Sequence, residues 1–223
     1  MLDIVTESFK DAARDYFFLL NRGYPEKPSA MLVGDRYRLN GLERIALYRG
    51  ITSKKKSLER KSKITGDMKD KKIYIDGYNV LFTIMNYLFG KLVFIGSDGF
   101  LRDCGEGYGK IEDESKFYRA VDLLLEYIAA CETATVGIYF DSPVSGSALH
   151  VNGVEKRLKE AKLPGEVLLV KFADKELKEK DEGIIATCDS EIIDSTACRV
   201  VDLARRVLKK NFEIEILDLG LFL

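Results

Sequence analysis

The sequence predicts an α/β protein: a three-layer, mostly parallel sheet flanked by helices, preceded by a small, mainly helical N-terminal domain. Three observations carry this. After Lys71, short apolar runs alternate with amphipathic stretches, the pattern of strand and crossover helix. Runs such as "KIYID", "VGIYFD" and "GEVLLV" are nearly continuous Val, Ile, Leu and Tyr, as strands covered on both faces are. Charge is also divided: up to Lys72 there are 17 Lys and Arg against 10 Asp and Glu, and beyond it 18 against 26. A basic front and an acidic back, within 223 residues of net charge −1, read as two modules, 1–65 and 66–223.

In the front module, Phe9, Ala12, Ala13, Tyr16 and Phe17 recur at three- and four-residue intervals and predict a helix, which Gly23 and Pro25 end. "PEKPSAMLVGDRYRLN" reads as a loop leading to a short apolar segment. "GLERIALYRGI" reads as a second short helix with Leu42, Ile45 and Ala46 in register. "TSKKKSLERKSKITGDMKDKK" holds nine basic and three acidic residues, and reads as a linker or exposed basic arm. Lys54, Lys55, Lys56, Arg60 and Lys61 are its candidate contacts to a nucleic-acid backbone, against the plainer reading of a solvated linker. Arg14, Arg22, Arg36, Arg38 and Arg49, with Tyr24 and Tyr37, add cations and aromatic rings of the kind that grip RNA.

The back module reads, in order, as strand "KIYID", helix "YNVLFTIMNYLFG" and a short strand or extended "KLVFIG". Then come the long helix "EDESKFYRAVDLLLEYIAAC", strand "TATVGIYFD", helix from "SGSALHVNGVEKRLKEA" and strand "GEVLLVKFAD". A solvated charge run "DKELKEKDE", strand "GIIATCDS", a long helix "IIDSTACRVVDLARRVLKKN" and a last strand "FEIEILDLG" complete it.

Composition narrows the class. At 46% hydrophobic the chain can bury a sizeable core. No apolar run approaches the roughly 20 residues of a membrane helix, and early acids in the N-terminus argue against a signal peptide. Cys104, Cys131, Cys188 and Cys198 form no CxxC pair, so a reducing cytoplasm is expected rather than a zinc site or disulfide framework. His150 is the sole histidine and no Gly-x-Ser-x-Gly elbow is present, so it reads as a satisfied helix or surface residue. Homo-oligomerisation is compatible with the sequence, and no membrane partner is expected.

Three predicted strands end on Asp: Asp76, Asp141 and Asp189. Parallel strands place their C-terminal ends on one edge, where α/β sheets bind ligands. Gathered carboxylates repel unless a proton or cation compensates, and hard oxygen donors suit Mg²⁺ or Mn²⁺. Each Asp also has an ordinary explanation as a helix cap or turn residue. Ser142, Ser145 and Ser147 precede a predicted helix and are candidates for phosphate contact or for simple capping.

"IDGYNVLF", "YFDSPVS" and "IIATCDSEIID" together resemble the PIN-like nuclease superfamily, especially its NYN branch, and the front resembles a short uncharacterised prokaryotic domain fused to such domains. The resemblance implies a metal-dependent ribonuclease. It makes Asp76, Asp141 and Asp189 metal ligands and catalytic acids, with Asn79 beside them contacting substrate. Glu191 would join catalysis and Asp194 the metal, although Asp194-Ser195-Thr196 also fits a helix cap. Asp103 would reach in from a loop. The hydroxyl-rich "FDSPVSGSALH" departs from the familiar pattern. A non-catalytic RNA- or nucleotide-binding module, or a phosphatase acting on small esters, uses the same acids.

Overall fold

The computed structural model describes residues 6–105, 111 and 113–223. In chain order it runs α1 (Glu7–Asn21), α2 (Glu26–Arg36), α3 (Gly41–Gly50), α4 (Lys54–Lys63), β1 (Lys72–Asp76), α5 (Gly77–Leu88), β2 (Val93–Ile95) and β3 (Leu101–Asp103). There follow α6 (Glu114–Ala129), β4 (Thr135–Asp141), α7 (Ser147–Glu160), β5 (Gly165–Val170), α8 (Ala173–Lys178) and β6 (Ile184–Ala186). Then come α9 (Ser190–Ser195), β7 (Arg199–Val201), α10 (Leu203–Asn211), β8 (Leu217–Asp218) and a 3₁₀ turn, Leu219–Phe222. Contacts divide the chain into a front unit of residues 6–62, 90–105 and 215–223, and a back unit of 63–89 and the described residues of 111–214.

In the front unit, the Thr6 hydroxyl accepts from the Phe9 N–H and starts α1. A capping box of Asn40 and Glu43 starts α3. Phe9, Ala12, Ala13 and Tyr16 are fully buried with Ala46, Leu47, Phe94 and Leu219. The expected loop after Pro25 is the helix α2. Pro25 is its N-cap and Pro28 lies in its first turn, where amides lack intrahelical partners, so neither proline interrupts it. The expected linker is also largely helix. From Lys54 to Lys63 there is no Gly or Pro, and Lys, Leu, Glu and Arg are good helix formers. β2 and β3 pair antiparallel, and β8 joins β2 in parallel, so the predicted last strand belongs to this small sheet.

The back unit is a five-stranded, fully parallel sheet in the order β5-β4-β1-β6-β7, flanked by helices. The order reverses between β1 and β6, and at such a reversal α/β sheets place a ligand crevice beyond the C-terminal ends of the strands. On one face, Tyr139, Ala173, Leu177, Ile185, Ile192 and Cys198 pack together beneath α8 and α9. On the other, Tyr78 of α5 meets Phe140 of β4 edge-on at 4.8 Å. The predicted long helix near the end is broken. α9 ends at Ser195, the β-branched pair Val200-Val201 pairs with β6, and Asp202 starts α10 by accepting from the Arg205 N–H. Likewise β5 stops at Val170, and the expected charge run holds α8.

Candidate functional site

Asp76 is the last residue of β1, and Gly77 opens α5 immediately after it. A side chain at Gly77 would meet the Tyr139 carbonyl at 2.7 Å and the Phe140 ring at 2.8 Å, so only glycine lets this turn lie against β4. Asp76 stands at the N-cap of α5 but its carboxylate makes no capping bond, so the ordinary explanation for a strand-end Asp fails here. The side chain is buried, and its Oδ2 accepts from the Thr187 hydroxyl at 2.9 Å. Burial pushes the Asp76 carboxyl up to about 8. The Thr187 hydrogen bond works against that, while the charges of Asp189, Asp174 and Asp141 reinforce it.

The neighbouring acids come from β4, α8 and the turn after β6. Asp141 ends β4, and its Oδ1 accepts from the Ala173 N–H at 2.8 Å, at the start of α8. Asp189 is the N-cap of α9; its Oδ1 accepts from the N–H groups of Glu191 (2.7 Å) and Ile192 (3.2 Å). Capping therefore occupies one oxygen of each. Asp174, in the first turn of α8, is raised by burial and then by Asp189 and Asp141, with Lys178 opposing.

Asn79 ties the crevice together. Its Oδ1 accepts from the Cys188 N–H at 2.9 Å and lies 3.3 Å from the Thr187 hydroxyl, so the first turn of α5 holds the turn after β6. The Thr187 oxygen in turn accepts from the Asp189 N–H at 3.0 Å. The segment Thr187-Cys188-Asp189 is thereby fixed against Asp76 through one hydroxyl.

The structure thus brings Asp76, Asp141 and Asp189 into one electrostatic group and adds Asn79 to its scaffold. Asp174 and Thr187 belong with them and were missed by sequence reasoning. Asp174 ends the predicted strand "GEVLLVKFAD", as the other three acids end theirs, and that was the available signal. Glu191 instead points outward, three-quarters exposed and paired with Lys178. Asp194 is exposed in the last turn of α9 and does not cap a following helix. Ser142 and Ser145 are exposed, whereas Ser147 is buried and its hydroxyl donates to the Ser142 carbonyl at 3.1 Å. His150 is buried in α7, with Nδ1 3.0 Å from the Tyr78 hydroxyl, and burial lowers its pKa. Asp103 lies on β3 of the front unit, its carboxylate 3.8 Å from Arg49. Of the basic candidates, Lys54, Lys55 and Lys61 are exposed, and Lys56 pairs with Glu26 at 2.8 Å. Arg60 is buried against Asp98 at 2.8 Å and is not a surface contact.

The donor set around Asp76 is all hard carboxylate oxygen, which suits Mg²⁺ or Mn²⁺ by type. Among the described residues, no three His, Cys, Asp or Glu side chains are grouped so as to hold an ion directly. Mg²⁺ characteristically keeps several waters and takes only one or two carboxylates.

Residues 65–206 match the family described as Domain of unknown function (DUF5616). The chain belongs to that family. Residues 8–63 match a second, Protein of unknown function (DUF434), so two uncharacterised modules are joined in one chain. An uncharacterized protein of Methanocaldococcus jannaschii, MJ0935, is 35% identical over 205 residues, covering 91% of this chain and 97% of that relative. No solved structure matches the chain. Among the described residues, no helix is long and apolar enough to cross a membrane.

Proposed function

We propose that the back unit is a PIN-like, Mg²⁺- or Mn²⁺-dependent ribonuclease acting at the crevice between β1 and β6. One observation carries the reading: a buried Asp76, raised to about 8, shares the field of three further acids at the C-terminal edge of a parallel sheet. Such an arrangement is costly for folding alone and is relieved by a divalent cation. Asp76 and Asp189 would hold the ion, with Asp141 and Asp174 adding charge. A bound ion supplies an activated water and offsets charge on the phosphoryl group. Thr187 and Asn79 position Asp76 and the Asp189 turn.

A non-catalytic RNA- or nucleotide-binding module is the second reading. It is favoured by the Oδ1 atoms of Asp141 and Asp189, which already serve backbone amides. Calorimetric titration with Mn²⁺ separates the two. Binding by the parent that Asp76→Asn and Asp189→Asn both abolish, with metal-dependent cleavage of RNA lost in Asp76→Asn, is the expected result. Absence of binding at millimolar Mn²⁺, or unchanged cleavage in Asp76→Asn, refutes the nuclease reading.

A further inference from the structure

The front unit carries a surface on which cations and open aromatic rings meet. The last turn of α1 and the first of α4 are joined directly, because the Lys54 N–H donates to Asn21 Oδ1 at 2.9 Å. Around that joint Phe18 is 56% exposed and Tyr24 58%. The Arg22 guanidinium lies 5.2 Å from the Phe18 ring centre. The Tyr16 hydroxyl donates to the Glu26 carbonyl at 3.2 Å and interacts electrostatically with the phenol of Tyr48, itself 48% exposed. Two acids of this region are paired: Lys56 engages Glu26 at 2.8 Å, and Lys55 lies 4.0 Å from Glu59 one turn along α4. Lys54 and Lys55 are both exposed, so the loose Lys55–Glu59 pair leaves the Lys55 ammonium open to a second anion.

The placement of these lysines is informative. A helix N-terminus carries partial positive charge and favours acids in its first turn. The first turn of α4 has no acid and instead reads Lys54-Lys55-Lys56. That choice costs the helix locally, and an anion bound there would offset the cost. A phosphate backbone answers the cations, and unpaired bases answer the rings, since paired bases present no free face for stacking.

We propose that this face of the front unit binds single-stranded nucleic acid. Lys54, Lys55 and Arg22 contact phosphates, and Phe18, Tyr24 and Tyr48 stack on bases. The inference stands apart from the acidic crevice and holds whether or not the back unit cleaves.

The test is fluorescence anisotropy with the full chain and a labelled oligo(U) of about 12 nucleotides, beside a duplex of equal length, across a salt series. The single strand is expected to bind more tightly than the duplex. Lys54→Ala/Lys55→Ala should lower the slope of log K against log salt by about 0.7 per lysine. Phe18→Ala and Tyr24→Ala should each weaken binding roughly tenfold at unchanged slope. With EDTA present throughout, which strips any metal from the crevice, the full chain should bind as tightly as without it, which separates this surface from the crevice. Circular dichroism confirms that each variant is folded. Equal affinity for duplex, no binding at tens of micromolar protein in low salt, or loss of binding on adding EDTA overturns the proposal. So does self-association that Phe18→Ala abolishes while oligo(U) binding is unchanged.

Discussion

Replacing Asp76 with Asn should stabilise the metal-free protein at neutral pH. The Asp76 carboxyl moves from an ordinary 3.8 to about 8 on folding. The folded state therefore holds this proton more tightly than the unfolded chain. The stability it contributes is full below pH 4 and is lost as pH climbs through about 8. Between pH 4 and 7 the loss is about 1.4 kcal/mol per unit, or roughly 4 kcal/mol as an upper bound. Asparagine carries no charge to desolvate and keeps an oxygen for the Thr187 hydroxyl. The chain has no tryptophan, so urea unfolding is followed by far-ultraviolet circular dichroism, in EDTA, from pH 4.5 to 7.5. The variant should gain on the parent by about a kilocalorie per mole or more with each pH unit, and Mn²⁺ should narrow the gap by stabilising the parent. A pH-independent gap, or a parent that stays more stable at pH 7.5, refutes the argument that Asp76 is held under electrostatic strain.

The other predictions concern the supporting structure. Asp98 is buried with Arg60 and Arg102, whose guanidinium groups hold its carboxyl below the usual range despite burial. Asp98→Asn leaves two buried cations undercompensated and should cost about 3–5 kcal/mol, read as a lower urea midpoint. Asn79→Ala strips the partner from the Cys188 N–H and should cost about 1–3 kcal/mol, with faster amide exchange at Cys188. Glu191→Gln breaks only an outward-facing pair with Lys178 and should change stability by less than about 1 kcal/mol in the same melts.

Four of the five strands were legible because they are mostly continuous apolar runs, which is visible in one dimension; the short β7 was read as helix. Asp76 and Asp141 were legible for the same reason: each is the last residue of its strand. Asp189 was found although its strand ends three residues earlier, at Ala186. Thr187 was overlooked because its hydroxyl acquires a role only when β6 lies beside β1, a pairing across more than a hundred residues. The basic stretch after Ser53 misled through composition. Charge density suggested solvent, yet Arg60 points inward to an acid 38 residues away. The break after Ser195 was hidden because Cys198–Val201 continues an apolar spacing compatible with helix until β-pairing decides otherwise.

The front unit borrows residues 215–223 from beyond the whole back unit. Leu219 is fully buried in its core, Phe222 packs edge-on against Phe9, and a side chain at Gly50 would collide with Leu219. During translation helices α1 to α4 leave the ribosome first but lack these pieces. Their core stays open until the acidic sheet has been made. The front core is therefore begun first and supplied last: it cannot be filled until residues 215–223 have been made.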